Sequence, residues 1–229
     1  ISTAEPKFEF KGRESSLSNP LFEGIDLDED KPRYDEAVFL RLGDTKADEL
    51  TSGFPTTPEE MYGYDLVIFG DIEREYLSTA QLELTRDFVE KRGGSFLMLG
   101  GPRAFTQGGY TGSPIENMLP VVLYQKYDAD SAMSGKDTFQ VEPTVDGTLA
   151  GVWTFDFDDN TNALQWEEMP PLYGMSYFPV VRAGATVLAQ GRSADSDAMS
   201  PLFALQRYGE GTAGLLATGE TWQWQMRLE

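Results

Sequence analysis

Short apolar runs alternate with capped, polar-faced segments from Thr57 onward. Thr57-Pro58-Glu59-Glu60 predicts a helix start, with a hydroxyl N-cap, proline at the first helical position and Glu three residues after the cap. Tyr64 to Gly70 (YDLVIFG) is a near-continuous apolar run of the kind found in a strand covered on both faces. Ser78-Thr79-Ala80-Gln81 forms a second capping box, with Leu77 and Leu82 spaced as a hydrophobic staple. Leu82, Leu84, Phe88 and Val89 then mark one side of a helix that closes at Lys91, Arg92 and Gly93-Gly94. Ser95 to Leu99 (SFLML) predicts the next buried strand, and Ser113-Pro114-Ile115-Glu116 a third helix start that leads into an extended segment from Leu119 to Leu123. Strand, capped helix, strand and Gly-rich turn make a βαβ unit, which implies a parallel sheet.

On either side of this unit the pattern weakens. In the first 50 residues, Pro6 to Phe10 and Ala37 to Leu42 (AVFLRL) predict short extended pieces, and the acidic run Asp26 to Asp30 reads as loop. Residues 125–175 read as an irregular, insertion-like region rich in Asp, Thr and Gly, with β-like pieces at Thr138 to Val141 and Val152 to Phe157. Thr186 to Gln190, Pro201 to Tyr208 and Ala213 to Ala217 then predict three strands, the last two forming a hairpin across Gly209-Glu210-Gly211.

Composition narrows the chemistry. The 229 residues include no histidine and no cysteine, which removes the usual neutral-pH base, the thiolate nucleophile and the dominant zinc and copper ligands. Carboxylates, lysines, tyrosines and hydroxyls remain. The formal net charge of −20 argues against nucleic acid or an anionic membrane surface as partner and favours cationic ones. No stretch approaches the roughly 20 apolar residues of a membrane span, so membrane attachment is expected only through segments outside the chain. The chain begins at Ile1 rather than Met and stops straight after an aromatic run, so it is expected to be part of a longer protein. Within it, residues 1–229 are expected to form a single domain.

Two blocks carry a family resemblance. One is Tyr64 to Asp71, the helix behind it, and Arg92-Gly-Gly-Ser-Phe-Leu-Met-Leu-Gly-Gly-Pro-Arg-Ala-Phe105 with Gly108-Gly-Tyr-Thr-Gly112. The other is Tyr208-Gly-Glu-Gly, the strand to Ala217, and Thr221-Trp-Gln-Trp224. Together they resemble the putative glutamine amidotransferase domain of the class I glutamine amidotransferase-like superfamily, in the version found in bacterial membrane-anchored proteins that carry von Willebrand factor A-like regions. The resemblance implies an α/β fold: a largely parallel sheet covered by helices on both faces, a flavodoxin-like sandwich, with a β-rich, loop-rich second half. It also implies an extracytoplasmic or periplasmic location, with other domains of the same protein or an envelope protein as partners. Active members place a Cys on a strained turn after a buried strand, where this chain has Gly101, and a His after the last strand, where it has Thr218-Gly219-Glu220-Thr221. No catalytic residue and no cofactor is therefore expected, and the expected role is a non-catalytic binding or structural module of a cell-envelope protein.

The candidate ligand-binding crevice consists of Gly70, Asp71, Gly100, Gly101, Arg103, Gly219 and Glu220, at the carboxyl ends of sheet strands where open α/β sheets bind ligands. Arg103 could hold an anion, or simply pair with a local acid. Asp71, Glu73 and Glu75 offer neighbouring carboxylates, which in most proteins are caps or solvated turn residues. A hydrolase using non-canonical groups at the same crevice is one alternative, weakened because no Lys falls in either strand-end block. A calcium-dependent interaction domain is the other: Asp156, Asp158, Asn160 and Glu167 fall at positions 1, 3, 5 and 12 of a calcium loop, with Thr161 in place of the required Gly. Trp222, Trp224 and Met226 near the C-terminus are expected to pack on the core, with one Trp on a different helical face from the other two residues.

Overall fold

A computed structural model describes residues 53–124, 138–156, 158–194 and 198–227, and the unit they form begins at Phe54. The pieces expected at 6–10, 26–30 and 37–42 lie outside the described residues. Seven strands form one sheet: β1 (Leu66–Gly70), β2 (Ser95–Leu99), β3 (Thr138–Pro143), β4 (Leu172–Tyr173), β5 (Thr186–Ser193), β6 (Met199–Tyr208) and β7 (Gly211–Leu216). Their order across the sheet is β1-β2-β7-β6-β5-β3-β4. The first three run parallel, with Phe69 opposite Met98 and Met98 opposite Leu215. Every pairing from β7 through β6, β5 and β3 to β4 is antiparallel.

The sheet is thus mixed and strongly curled into a half-barrel, not the largely parallel sandwich with helices on both faces that the resemblance implied. Connection length explains the difference. A parallel neighbour needs a crossover of a dozen or more residues, and the segment from Thr79 to Arg92 supplies one between β1 and β2. From β5 onward the connections are short: Tyr208 pairs with Gly211 across a two-residue turn, with Gly209 at φ 59°. Turns of that length join only antiparallel strands.

The expected double cover also fails at β1. Phe69 is buried, but Leu66 and Ile68 are 47% and 51% exposed on the other face. A five-residue apolar run cannot by itself distinguish one covered face from two, and this strand ends the described sheet.

Helix signals near β1 and β2 match the local chemistry. α1 (Pro58–Met61) opens on a complete capping box: Glu60 N–H donates to Thr57 Oγ1, and the Glu60 carboxylate accepts from the Thr57 N–H. α2 (Thr79–Asp87) repeats the arrangement with Ser78 and Gln81, and the staple residues Leu77 and Leu82 are buried. Its last turn loosens to a π-type turn over Phe88–Arg92, and Gly93, in the left-handed region at φ 84°, ends it. α3 (Pro114–Met118) is capped by Ser113. Leu82, Phe88 and Val89 from this layer pack with Phe69, Phe96, Met98 and Leu215 of the sheet in the continuous apolar core.

Among the described residues of the stretch read as irregular stand two helices, α4 (Val145–Leu149) and α5 (Asp159–Glu168). The piece expected as a strand at 152–157 contains no strand among its described residues, whereas Thr138 to Val141 falls within β3. Thr144 fixes α4 to the sheet from both ends of its side chain. Its Oγ1 donates to Val187 O at 2.6 Å and accepts from Gly147 N–H, while its backbone N–H donates to Leu188 O. Gly147 then lies so close to β5 that a Cβ there would sit 1.8 Å from Leu188 O. Gly147→Ala is expected to lift α4 off β5 and destabilise the unit by about 1–3 kcal/mol, the usual range for overpacking, as read by denaturant unfolding.

Candidate functional site

The described residues offer two candidate places. The first is the set of turns after β1, β2 and β7. Because these strands are parallel neighbours, their carboxyl ends emerge together. The structure brings the candidate residues around Gly70-Asp71, Gly100-Gly101-Arg103 and Gly219-Glu220 to one end of the sheet. The turns are packed onto one another. Gly100 N–H donates to Leu216 O at 2.7 Å, and a Cβ on Gly100 would meet Ala217 O at 2.3 Å. A Cβ on Gly219 would lie 2.6 Å from Gly100 O. The position that the resemblance gave to the nucleophile, Gly101, faces the Asp71 carboxylate, with room for no side chain: a Cβ would lie 2.3 Å from Asp71 Oδ1.

Asp71 organises this end. Its backbone sits in the left-handed region at φ 49°, unusual for a residue other than Gly and tolerated best by Asn and Asp. Its Oδ1 accepts the Arg103 backbone N–H at 2.6 Å, and its Oδ2 lies 3.7 Å from Arg103 Nε. Arg103 is thus turned toward a local acid. Glu220 accepts from Gln223 through its carboxylate, and its backbone N–H donates to Thr218 Oγ1. Glu73 precedes, and Glu75 lies within, the short 3-10 turn Arg74–Tyr76. A hydrogen bond from Glu75, together with desolvation and the repulsion of that neighbouring carboxylate, holds the Glu73 carboxyl above its ordinary range, against the pull of Arg103. Behind this loop, Tyr110 is fully buried and donates to Ile72 O; burial pushes its phenol well above the usual tyrosine range.

The second place is a cleft of about 680 Å3 between β3, α4 and α5, which sequence reasoning did not single out. Val141, Thr144, Val145, Leu149, Asn162 and Trp166 are among the residues that line it. Its one aromatic lining residue, Trp166, belongs to an aromatic cluster. Trp166 packs edge-to-face on Trp153 at 5.6 Å, Trp153 on Phe203 at 5.8 Å, and Trp166 on Trp224 at 5.9 Å. Trp166 Nε1 donates to Trp153 O, and Asn162 Oδ1 accepts the Phe155 N–H, tying the 153–156 turn to α5. Glu142, on the cleft wall, is held by a two-point pair with Arg192 at 2.6 and 3.0 Å, which lowers its carboxyl below the ordinary range. The signal for this cleft was present as the two tryptophans and the apolar residues of 145–164, but five- and ten-residue helices in an Asp-rich stretch leave little periodicity to read.

The calcium candidates are not brought together. Asp158 caps α5, accepting from Thr161 N–H and Thr161 Oγ1, and Asp156 accepts the Asp158 N–H. Glu167 lies in the last turn of the same helix, about 13 Å along its axis from the cap. Among the described residues no group of three or more carboxylates is placed to hold a metal ion, and no helix is long and apolar enough to cross a membrane. In α6 (Trp222–Arg227), Trp224 packs against the core and donates to Pro170 O, while Trp222 and Met226 are exposed. The core packing expected of these residues therefore holds for Trp224 alone.

No protein-family model and no curated protein matches the chain. It is similar in structure to cytoplasmic protein STM1381 from Salmonella typhimurium LT2, with a TM-score of 0.52 and 22% identity over 72% of this chain and 64% of that one. It is also similar to cytoplasmic protein STM3548 from Salmonella typhimurium, with a TM-score of 0.53, 20% identity and the same coverage. The chain thus spans less than two thirds of either protein. A weaker likeness is to a β-galactosidase from Rahnella sp. R3, at a TM-score of 0.44 and 18% identity, covering 71% of this chain and 21% of that one. The likeness to the two Salmonella proteins shows a fold. With the mixed, curled sheet it overturns the resemblance to the glutamine amidotransferase-like superfamily. The expected extracytoplasmic, cell-envelope setting rested on that resemblance and is corrected with it; both Salmonella proteins are described as cytoplasmic.

The raised Glu73 carboxyl yields a pH-dependent expectation. A carboxyl raised in the fold contributes stability below its unfolded value and loses that contribution as pH rises through the folded one. Near neutral pH, Glu73 and Glu75 therefore repel. Because both are exposed to solvent screening, Glu75→Gln is expected to raise the Tm by only about 1 °C at about pH 7 and to leave it unchanged at about pH 3.5, as read by calorimetry.

Proposed function

We propose that this domain is a non-catalytic recognition module and that its working surface is the cleft between β3, α4 and α5. One observation carries the reading. The cleft is open and largely apolar, rests through Trp166 on an aromatic cluster, and has wall groups such as Glu142, Thr144 and Asn162 already bonded within the protein, so that it is preformed for a partner. The strand-end turns have the opposite character. Gly100, Gly101 and Gly219 leave no space beside one another, and the carboxylate of Asp71 is engaged by Arg103. The composition points the same way, since a chain with neither His nor Cys has few means of activating a nucleophile.

A second reading, an enzyme using non-canonical groups at the strand ends, draws on one feature, the Glu73 carboxyl raised by its neighbour Glu75. It lacks a nucleophile beside that acid.

Amide chemical-shift mapping with indole as a neutral apolar probe tests the proposal. Shifts are expected in Thr144–Leu149 and Asn162–Glu167, and shifts confined to 71–75, 100–103 and 218–220 would move the working surface to the strand ends. Ammonia release from glutamine and hydrolysis of p-nitrophenyl acetate are expected to match no-protein controls. Turnover that Glu73→Gln abolishes would overturn the non-catalytic reading.

A further inference from the structure

We infer that the occupant of this cleft is a basic amphipathic segment of another protein, which seats apolar side chains between α4 and α5 while its lysines or arginines meet the acidic rim. The inference rests on the recognition-module reading and adds the chemistry of the partner.

The apolar half of the argument comes from helix geometry. Val145 and Leu149 are four residues apart on α4, a spacing that places them on one helix face, and they are 76% and 80% exposed. Both line the cleft. Phe155 adds exposed apolar surface from the neighbouring turn. The Phe155 ring also packs, tilted, at 4.7 Å from Trp166, a lining residue of the cleft. Large apolar side chains gathered on neighbouring elements mark interaction surfaces more often than scattered ones do. A volume of about 680 Å3 admits several side chains of a peptide, beyond what one small anion or metal ion would fill.

The charge half comes from the same stretch of chain. From Thr138 to Met169 there are seven carboxylates, from Glu142 to Glu168, and no lysine or arginine. Arg192 approaches from β5, but it is matched by Glu142. Glu167 stands exposed on the cleft wall, Asp146 is exposed beside Val145 on α4, and Glu168 follows Glu167 on α5. Within a protein of net charge −20, this rim repels nucleotides, acidic peptides and anionic lipid surfaces, and draws in cations. Apolar anchors with basic flanks are the complementary pattern, as in peptide helices that lay an apolar face into a groove.

The test uses three synthetic peptides of about 14 residues: one of Leu and Lys in helical spacing, one with each Lys replaced by Glu, and one with each Leu replaced by Ser. Binding to the full chain is followed by anisotropy of a fluorescein label. The Leu/Lys peptide is expected to bind saturably at 1:1 and to weaken about tenfold or more between about 50 and 500 mM salt. The Leu/Glu peptide is expected not to bind, and the Ser/Lys peptide to bind at least about tenfold more weakly than the Leu/Lys one. In the protein, Val145→Ser with Leu149→Ser should weaken the Leu/Lys peptide about tenfold or more, and Asp146→Lys with Glu167→Lys should do the same. Trp222→Ser, at an exposed apolar residue on α6, should leave binding unchanged. All five positions are exposed or on a rim, and unaltered melting of each variant confirms that folding is not the cause.

Equal binding by wild type and the Val145→Ser, Leu149→Ser protein would overturn the inference, because the acidic surface at large would then be the binder. Binding of the Leu/Glu peptide as tight as that of the Leu/Lys peptide would overturn it from the charge side. If no peptide binds although indole maps to the cleft, the basic partner is wrong and the recognition reading stands. If neither binds, both fail.

Discussion

Strand β7 is committed on both edges, parallel to β2 from Thr212 to Leu216 and antiparallel to β6 over the same residues. Everything else in the sheet follows from that double pairing. On one side the chain must cross back over the sheet with a helix between strands; on the other it can turn at once. β7 is suited to the place by small residues. Ala213 and Ala217 are fully buried, and Gly214 lies where a Cβ would sit 2.5 Å from Leu205 Cδ2. A side chain at 214 would have to displace Leu205, its cross-strand neighbour on β6.

The antiparallel half then provides a floor for elements with little core of their own. α4 has five residues and α5 ten, too short for either to persist in water as an isolated helix. They are held from outside: Thr144 and Gly147 seat α4 on β5, while Trp166 joins α5 to Trp153, and through it to Phe203 on β6. The apolar residues that face away from this floor are left at the surface, which is how a cleft with exposed Val145 and Leu149 arises on a well-packed base. The acids around it keep such a surface soluble.

What the sequence disclosed was local. Capping boxes at Thr57 and Ser78 and the serine at 113 found three helix starts, since the side-chain bonds that define a cap lie within four residues. The β6–β7 hairpin was legible for the same reason. Strand partners beyond a hairpin were not. The runs YDLVIFG and SFLML do pair in parallel, but nothing in them specifies the four antiparallel strands beyond β7, or that Leu66 and Ile68 face solvent. Motif resemblance compounded the error, because a βαβ unit with a Gly-rich turn is common to many folds. The candidate crevice residues share one end of the sheet because parallel strands must end together. Their packing, with a carboxylate where a side chain had been imagined, depends on Asp71, thirty residues earlier in the chain.

That last contact ties two distant positions into one unit of variation. A side chain at 101 and a carboxylate at 71 cannot occupy the same space, so position 101 cannot change while the acid stays. Any lineage that gains a reactive residue on this turn must first shorten or lose the acid, and with it the acceptor that holds the Arg103 N–H. The route from this turn to a chemically active one therefore passes through an intermediate whose loop is less well held than either end point. Such a step is tolerated only where stability elsewhere in the domain exceeds what folding requires.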